Sequence, residues 1–406
     1  MSVFQKIKQF NIYEALVALL LITLPLGFAV NSIAVILFSL TAIYFVVFKR
    51  VKSDLTILSI LLFLFFILCL LSLFWTDNVE NTQEGLSRFL SFLILPLAFS
   101  IKNHFNIKKE KVFNVFSKSL VVYAAYSLIV GLVKAVNNKD IGYLFYHKLS
   151  GNLSNMNAIY LSVFMSFGIA FFLNKKVKSK LDIFCLIFLS LFLVLLSSKI
   201  IITITLLSSI IFFFKKFDFR KIKLKQIVVT VSIILLFLIA SFNYVDRIKT
   251  ELQKTKISEV LNKKDFGHVY LWTGTGLRVF QIKAFTEILS EQKKYFLGEG
   301  LNNSQQSLNE KYKEYNFYPG FLNYNYHNQY IQVMAELGGV GLLIILLIFF
   351  FIGKQAIFYK DYFLLTFIFL ILVVCITESF FWRQRGMVFF ITVLLLFNKR
   401  KNTAFE

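Results

Sequence analysis

The chain has 406 residues, of which 57% are apolar and 50 are phenylalanine, with only 16% charged side chains and a mean hydropathy of +0.70. Soluble domains run at about 45–50% apolar and about 25% charged residues, so an ordinary soluble enzyme is excluded and a bilayer is the natural solvent. The excess of 44 Lys+Arg over 22 Asp+Glu falls in short clusters between apolar runs, which points to membrane lipids with anionic headgroups as the partner and excludes nucleic acid.

Apolar runs of roughly 17–25 residues, enough to cross about 30 Å of hydrocarbon, predict an all-α polytopic membrane protein. About twelve transmembrane helices are expected, near 12–30, 31–48, 55–74, 87–101, 113–136, 158–173, 181–197, 200–214, 227–243, 329–352, 362–378 and 386–398. Two boundaries are thin: a tight hairpin at Asn31–Ser32 and a break at Ser197–Ser198–Lys199. Merging either pair would invert the topology downstream. Lys and Arg accumulate in short cytoplasmic loops, and alternate connections hold 24 of the 44 basic residues, including Lys6 and Lys8, Lys108, Lys109 and Lys111, Lys175 to Lys180, Lys215 to Lys225 and Lys399 to Lys401. The opposite loop from Trp75 to Gly85 has none. Both termini are therefore expected in the cytoplasm. The first apolar run lacks a small-residue cleavage pattern and a second follows at once, which reads as a retained anchor. Cys69, Cys185 and Cys375 each lie inside an apolar run with no CxxC and no nearby histidine, so they read as small core residues and not as metal ligands.

Residues 244–328 form one connection of 85 residues, and loops beyond about 12–15 residues usually carry function or structure of their own. The expected organisation is a bundle over 1–243, this large loop over 244–328, and C-terminal spans over 329–406. Within the loop, Leu277, Phe280, Ala284, Phe285, Ile288 and Leu289 recur at helical spacing and predict an amphipathic helix over Thr275 to Gln292. Arg278 projects on its apolar side, between the directions of Phe285 and Leu289. It is there either to meet an anion or to lay its stem on apolar surface with the head in water.

Gly298-Glu299-Gly300 follows, a pattern that lets a backbone approach a ligand closely or simply makes a turn. The loop closes with Tyr324-Asn325-Tyr326-His327-Asn328-Gln329-Tyr330. If a helix starts near His327, then Asn328, Gln332, Glu336 and Gly339 share one stripe entering the membrane. Ionisable residues in a span are costly and face a cavity or the bundle interior, so Glu336 is expected to point inward, either for function or as an interhelical hydrogen-bonding group beside Gly338, Gly339 and Gly341.

Arg278, then Gly298-Glu299-Gly300, then His327-Asn328-Gln329-Tyr330-Ile331-Gln332-Val333-Met334-Ala335-Glu336-Leu337-Gly338 resembles the O-antigen ligase and O-antigen polymerase-related superfamily of membrane glycosyltransferases. The about twelve spans and the late large loop agree with that family. Ser150-Gly151-Asn152-Leu153-Ser154-Asn155-Met156-Asn157 resembles its Gly…Asn-x-Asn segment, and Glu378 with Arg383-Gln384-Arg385-Gly386 resembles a late outer-loop segment. One position departs: the family commonly has Ser-Arg where this chain has Ser198-Lys199, which keeps the charge and loses the two-pronged fork of arginine.

The resemblance implies a GT-C-type enzyme in a bacterial inner membrane. It would move a glycan from an undecaprenyl diphosphate donor to an acceptor hydroxyl on lipid A–core, at the periplasmic face. His327 then takes the hydroxyl proton as general base, Arg278 and Lys199 hold the donor diphosphate, and Asn328, Gln332, Glu336, Gly298 and Gly300 support them. His104, His147 and His268 have no such motif around them. No cofactor is expected, and with no Asp-x-Asp pair in the chain a metal-independent reaction is expected. A polymerase, which uses a second lipid-linked glycan as acceptor, shares the motif. A transporter would place its distinctive residues near midplane between repeats, whereas here they gather at the outer face.

Overall fold

The computed structural model describes residues 11–101, 105–216 and 253–398. The expected span near 227–243 lies outside them, as do His104, Lys6, Lys8 and the basic residues from Arg220 to Lys225 and from Lys399 to Lys401. The described residues are helical, with no strand among them.

Asn11 caps α1 (Ile12–Ile22) by accepting from the Glu14 amide. The chain then turns through Leu24–Leu26, with Pro25 in the turn and Gly27 at φ +127°, into α2 (Phe28–Val47). The expected hairpin at Asn31–Ser32 is therefore wrong in position: both residues lie inside α2. Asn31 is buried because its Nδ2 donates back to the Leu20 carbonyl and to Thr23 Oγ1, each at 2.9 Å. A polar residue in an apolar run here pins two helices together instead of ending one.

After α3 (Ile57–Leu71), the run expected near 87–101 is not one span. It divides into amphipathic α4 (Val79–Phe89) and α5 (Ser91–Phe99), which holds Pro96. Next come α6 (Lys109–Asn138), short α7 (Tyr146–Ser150), α8 (Ala158–Asn174) and α9 (Lys180–Leu195). The break at Ser197–Ser198 is present, with Ser197 at φ +51°, and Lys199 opens α10 (Lys199–Lys216). The large loop contains α11 (Ile257–Asn262), α12 (Gly274–Gln292) and α13 (Ser304–Glu314). The chain finishes with α14 (Gln329–Phe358), α15 (Tyr362–Thr377) and α16 (Gln384–Phe397). Among the described residues four helices are long and apolar enough by themselves to cross a membrane: α2, Ile57–Phe74, α6 and α14; α1, α8, α10, α15 and α16 are shorter apolar helices.

The connections sort into two ends of the bundle. At one end Lys109 pairs with Asp361 at 3.2 Å and Gln355 donates to the Phe397 carbonyl at 2.8 Å. At the other, Ser154 Oγ donates to the Leu26 carbonyl at 2.6 Å, Gln384 meets Ser32 at 3.0 Å, and Thr82 donates to the Leu301 carbonyl at 3.0 Å. The large loop packs on this second end.

That loop has its own core of Phe266, Leu277, Phe280, Phe285, Tyr312, Phe317 and Tyr326. Lys311 Nζ, with only 8% of its side chain exposed, staples it through Glu291 at 2.7 Å and Glu314 at 2.9 Å. The first turns of α14 belong to both cores. Ile331, Met334 and Ala335 face the loop core, while Tyr330, Val333 and Leu337 face the bundle core. Spacings of three and four residues give these two faces to one helix.

Candidate functional site

The site is built around the start of α14. Asn328 caps the helix, its Oδ1 accepting from the amides of Tyr330 at 3.0 Å and Ile331 at 3.1 Å. Such a cap typically contributes about 1 kcal/mol. His327, the residue before it, has φ +45°, a left-handed conformation uncommon for a residue with a side chain. Its amide is satisfied by Asn325 Oδ1 at 3.0 Å. His327 is thereby turned back from the helix, and its Nδ1 lies 3.4 Å from Oε2 of Glu378. Glu378 is the C-cap of α15 and is 6% exposed.

Arg278 reaches the same place from α12. Its Nε and Nη2 donate to the Thr377 carbonyl at 3.1 and 3.0 Å, and Nη1 donates to the Gly274 carbonyl at 3.0 Å. The guanidinium therefore caps the C-terminus of α15, where the last carbonyls lack intrahelical donors and the helix dipole favours a cation. Of its five N–H groups three are used in this way, which leaves the Nη edge with two. The head of Arg278 is thus fixed by two backbone carbonyls, with one edge committed.

Gln332 and Glu336 form a second, deeper group. Both are buried. Gln332 Nε2 donates to Glu336 Oε1 at 2.8 Å and to Ser304 Oγ at 3.2 Å. Ser304, the first residue of α13, also lies 3.5 Å from Glu336 Oε1. The stripe points inward as expected, but Glu336 is engaged by Gln332 and Ser304 and not by His327.

The two glycines of Gly298-Glu299-Gly300 approach protein backbone. Helix α14 is broken at Gly338, whose φ of 64° and ψ of −165° fall in a region open essentially to glycine alone. In an unbroken helix the Gly339 and Val340 amides would donate to the carbonyls of Ala335 and Glu336. Here they donate to Tyr295 at 2.8 Å and Phe296 at 3.2 Å, while the Glu299 and Gly300 amides donate to Ala335 and Glu336, each at 2.9 Å. Residues 295–300 are thus laid into the break, and all four orphaned groups are paired. A Cβ on Gly298, at φ +66°, would lie 2.5 Å from the Glu336 carbonyl carbon, and one on Gly338 would lie 2.2 Å from the Phe296 carbonyl carbon. Gly300 lies against Thr76. Glu299 is buried and accepts from Ser307 and Gln292; burial pushes its carboxyl above the ordinary range.

Lys199 comes to this end of the bundle by another route. It opens α10, which packs against α15, the helix that ends in Thr377 and Glu378. Further cations flank the turn after α15. Arg88 stacks on Trp382 at 4.7 Å, and buried Arg385 stacks on Phe28 at 4.7 Å while donating to the Ser154 carbonyl at 3.3 Å. The two further segments that resemble the family, 150–157 and 383–386, therefore touch. Among the described residues no three His, Cys, Asp or Glu side chains gather as a metal site would need.

Glu378 is the residue of this cluster that the sequence left without a role. It follows the apolar run of α15 and stands 51 positions from His327, so neither periodicity nor local spacing pairs the two. Gln329 was also missed: its buried Oε1 accepts from the Phe381 amide at 2.6 Å and ties the turn after Glu378 to the head of α14.

A family model described as O-antigen ligase matches residues 184–346. The matched stretch holds Lys199, Arg278, Gly298, Gly300, His327, Asn328, Gln332, Glu336 and Gly338, and ends before Glu378. No curated protein matches the chain.

Proposed function

We propose, from the match of residues 184–346 to an O-antigen ligase model, that the chain is a glycosyltransferase. It transfers a glycan from undecaprenyl diphosphate to an acceptor hydroxyl, on lipid A–core, at the periplasmic face of the inner membrane, and needs no metal ion. The observation that carries this reading is the meeting of His327, Glu378 and the Arg278 guanidinium at the head of α14, with His327 and Arg278 inside the stretch that the family model matches and Glu378 beyond its end. The acceptor oxygen forms a bond to the anomeric carbon of the donor sugar. The bond from that carbon to the diphosphate breaks, and undecaprenyl diphosphate leaves with the electron pair. The hydroxyl proton goes to the imidazole of His327, a contribution typically worth about 10²–10⁴-fold. Negative charge that grows on the leaving diphosphate is met by the remaining Nη edge of Arg278 and by Lys199, as electrostatic stabilisation of a transition state requires.

His327→Ala tests the reading. Purified and reconstituted, it should bind donor as the wild type does and lose transfer nearly completely. Retention of more than about a tenth of wild-type turnover would be too much for a general base of the usual size to have been removed. The surface glycans of a deletion strain separate ligase from polymerase. Loss of all polymer from the lipid acceptor, with lipid-linked polymer accumulating, identifies a ligase. Single repeat units left on the acceptor identify a polymerase.

A further inference from the structure

We infer that Glu378 is the positioning residue of His327, holding its imidazole in the one tautomer that can accept a proton from the acceptor. The inference rests on the assignment of His327 as general base and adds the group that aims it.

Glu378 and His327 are each fixed before they meet. The Glu378 amide donates to the Val374 carbonyl at 2.9 Å, and its own carbonyl accepts from the Phe380 amide at 2.8 Å. The preceding carbonyl, that of Thr377, is gripped by Arg278. The turn that follows is tied to α14 through Gln329 and the Phe381 amide. On the other side, Asn325 accepts from the His327 amide, and Asn328 caps the helix that follows the left-handed residue. Such a conformation is disfavoured for a residue with a side chain and persists where the surroundings over-determine it. Its effect here is to point the ring away from the axis of α14 and toward the end of α15.

The carboxylate is 8% exposed and the imidazole 28%, so the acid is shielded while the ring stays reachable. An ionised carboxylate only accepts hydrogen bonds. Facing Nδ1, it selects the tautomer with the proton on Nδ1 and leaves the Nε2 lone pair to take the hydroxyl proton; it then stabilises the imidazolium that results. The separation of 3.4 Å exceeds the usual 2.7–3.2 Å for N–H···O, and contacts of this kind are commonly long before substrate binds and tighten with it.

The test uses the full chain in proteoliposomes, with undecaprenyl-diphosphate-linked glycan as donor and its lipid acceptor. Glu378→Gln should lower kcat by about 10- to 1,000-fold with KM for the donor unchanged, because the amide can donate to Nδ1 and impose the other tautomer. Glu378→Asp should recover part of the rate. In a His327→Ala background Glu378→Gln should cost nothing further, since residues that act as one unit are non-additive. Wild-type turnover in Glu378→Gln, or a loss that adds in full to that of His327→Ala, would overturn the inference while leaving His327 in place. An active His327→Ala would overturn the assignment beneath it. A second measurement needs no variant of Glu378: ¹⁵N-histidine solid-state NMR of the wild type, with the His327 resonance found by its absence in His327→Ala. The ring should be protonated at Nδ1 in the neutral form, and protonation at Nε2 would refute the proposal even if the Gln variant failed to fold.

Discussion

The head of α14 and its break at Gly338 lie close together in one helix and are held by opposite means. At the head, side chains do the holding: Asn328 caps, Gln329 and Tyr330 reach neighbouring carbonyls or amides, and His327 faces Glu378. At the break the main chain of residues 295–300 is laid in place of a missing helical turn. Side-chain contacts can be altered one at a time, so the head can be tuned by graded steps. A backbone inlay admits no atom where a Cβ would go, so the break tolerates nothing but glycine. The groups to which the proposed chemistry is assigned stand at the adjustable end, and the rigid end supports them.

The largest effect should come from Gly338→Ala. It places a Cβ on the Phe296 carbonyl in a conformation that alanine avoids, and should abolish folded, monodisperse protein in detergent gel filtration. Gly353→Ala, in the same helix with nothing within 4 Å of the added Cβ, should leave the elution unchanged and add up to about 1 kcal/mol of stability. Equal behaviour of the two variants would break the comparison.

Arg278→Lys comes next. It returns the charge without the fork that spans Thr377 and Gly274, so transfer should recover only partly relative to Arg278→Ala; full activity in reconstituted kinetics would remove the two-edged role. At Lys199, Arg should keep or raise activity and Gln should lose much of it. A lysine engaged only with the membrane surface predicts changes within about 0.5 kcal/mol for both, and wild-type kinetics for Lys199→Gln would turn attention to Arg385.

The smallest effect is expected at Glu299. Because burial raises its carboxyl above the unfolded value, folding favours the protonated form, and that contribution is lost as pH rises through the folded pKa. Glu299→Gln does not titrate. Its melting temperature relative to wild type should therefore rise as pH is raised, and the difference should shrink in acid. A difference that does not change with pH would mean that the inlay leaves this carboxyl unperturbed.

Much of the site was legible because its signals are local. The period of α12, the inward stripe of Gln332 and Glu336 and the helix start beside His327 all depend on residues a few positions apart, and the structure reproduces them. What escaped depends on distant partners. Gly298 and Gly300 announced an unusual backbone, but no pattern in 298–300 says that the surface approached is the carbonyl face of a helix about 40 positions away. Arg278 announced a need for acceptors, and its strongest are a carbonyl 99 positions away. Asn31 read as a chain reversal because a polar residue in an apolar run has two uses, and only the position of Leu20 and Thr23 decides between them.

The break in α14 also marks where this protein could be recombined. The nine residues from Gln329 to Leu337 precede Gly338, pack partly into the core of the large loop and are joined to residues 295–300 by main-chain bonds. A chimera that exchanges the loop at its apparent boundary, residue 328, would cut through that core and leave both halves with unmatched faces. A junction at Gly338 would move the loop, its inlay and the head of the helix as one part, with Tyr330, Val333 and Leu337 kept unchanged to match the bundle core. The natural seam of this molecule therefore lies inside a helix, and donor loops should be grafted there.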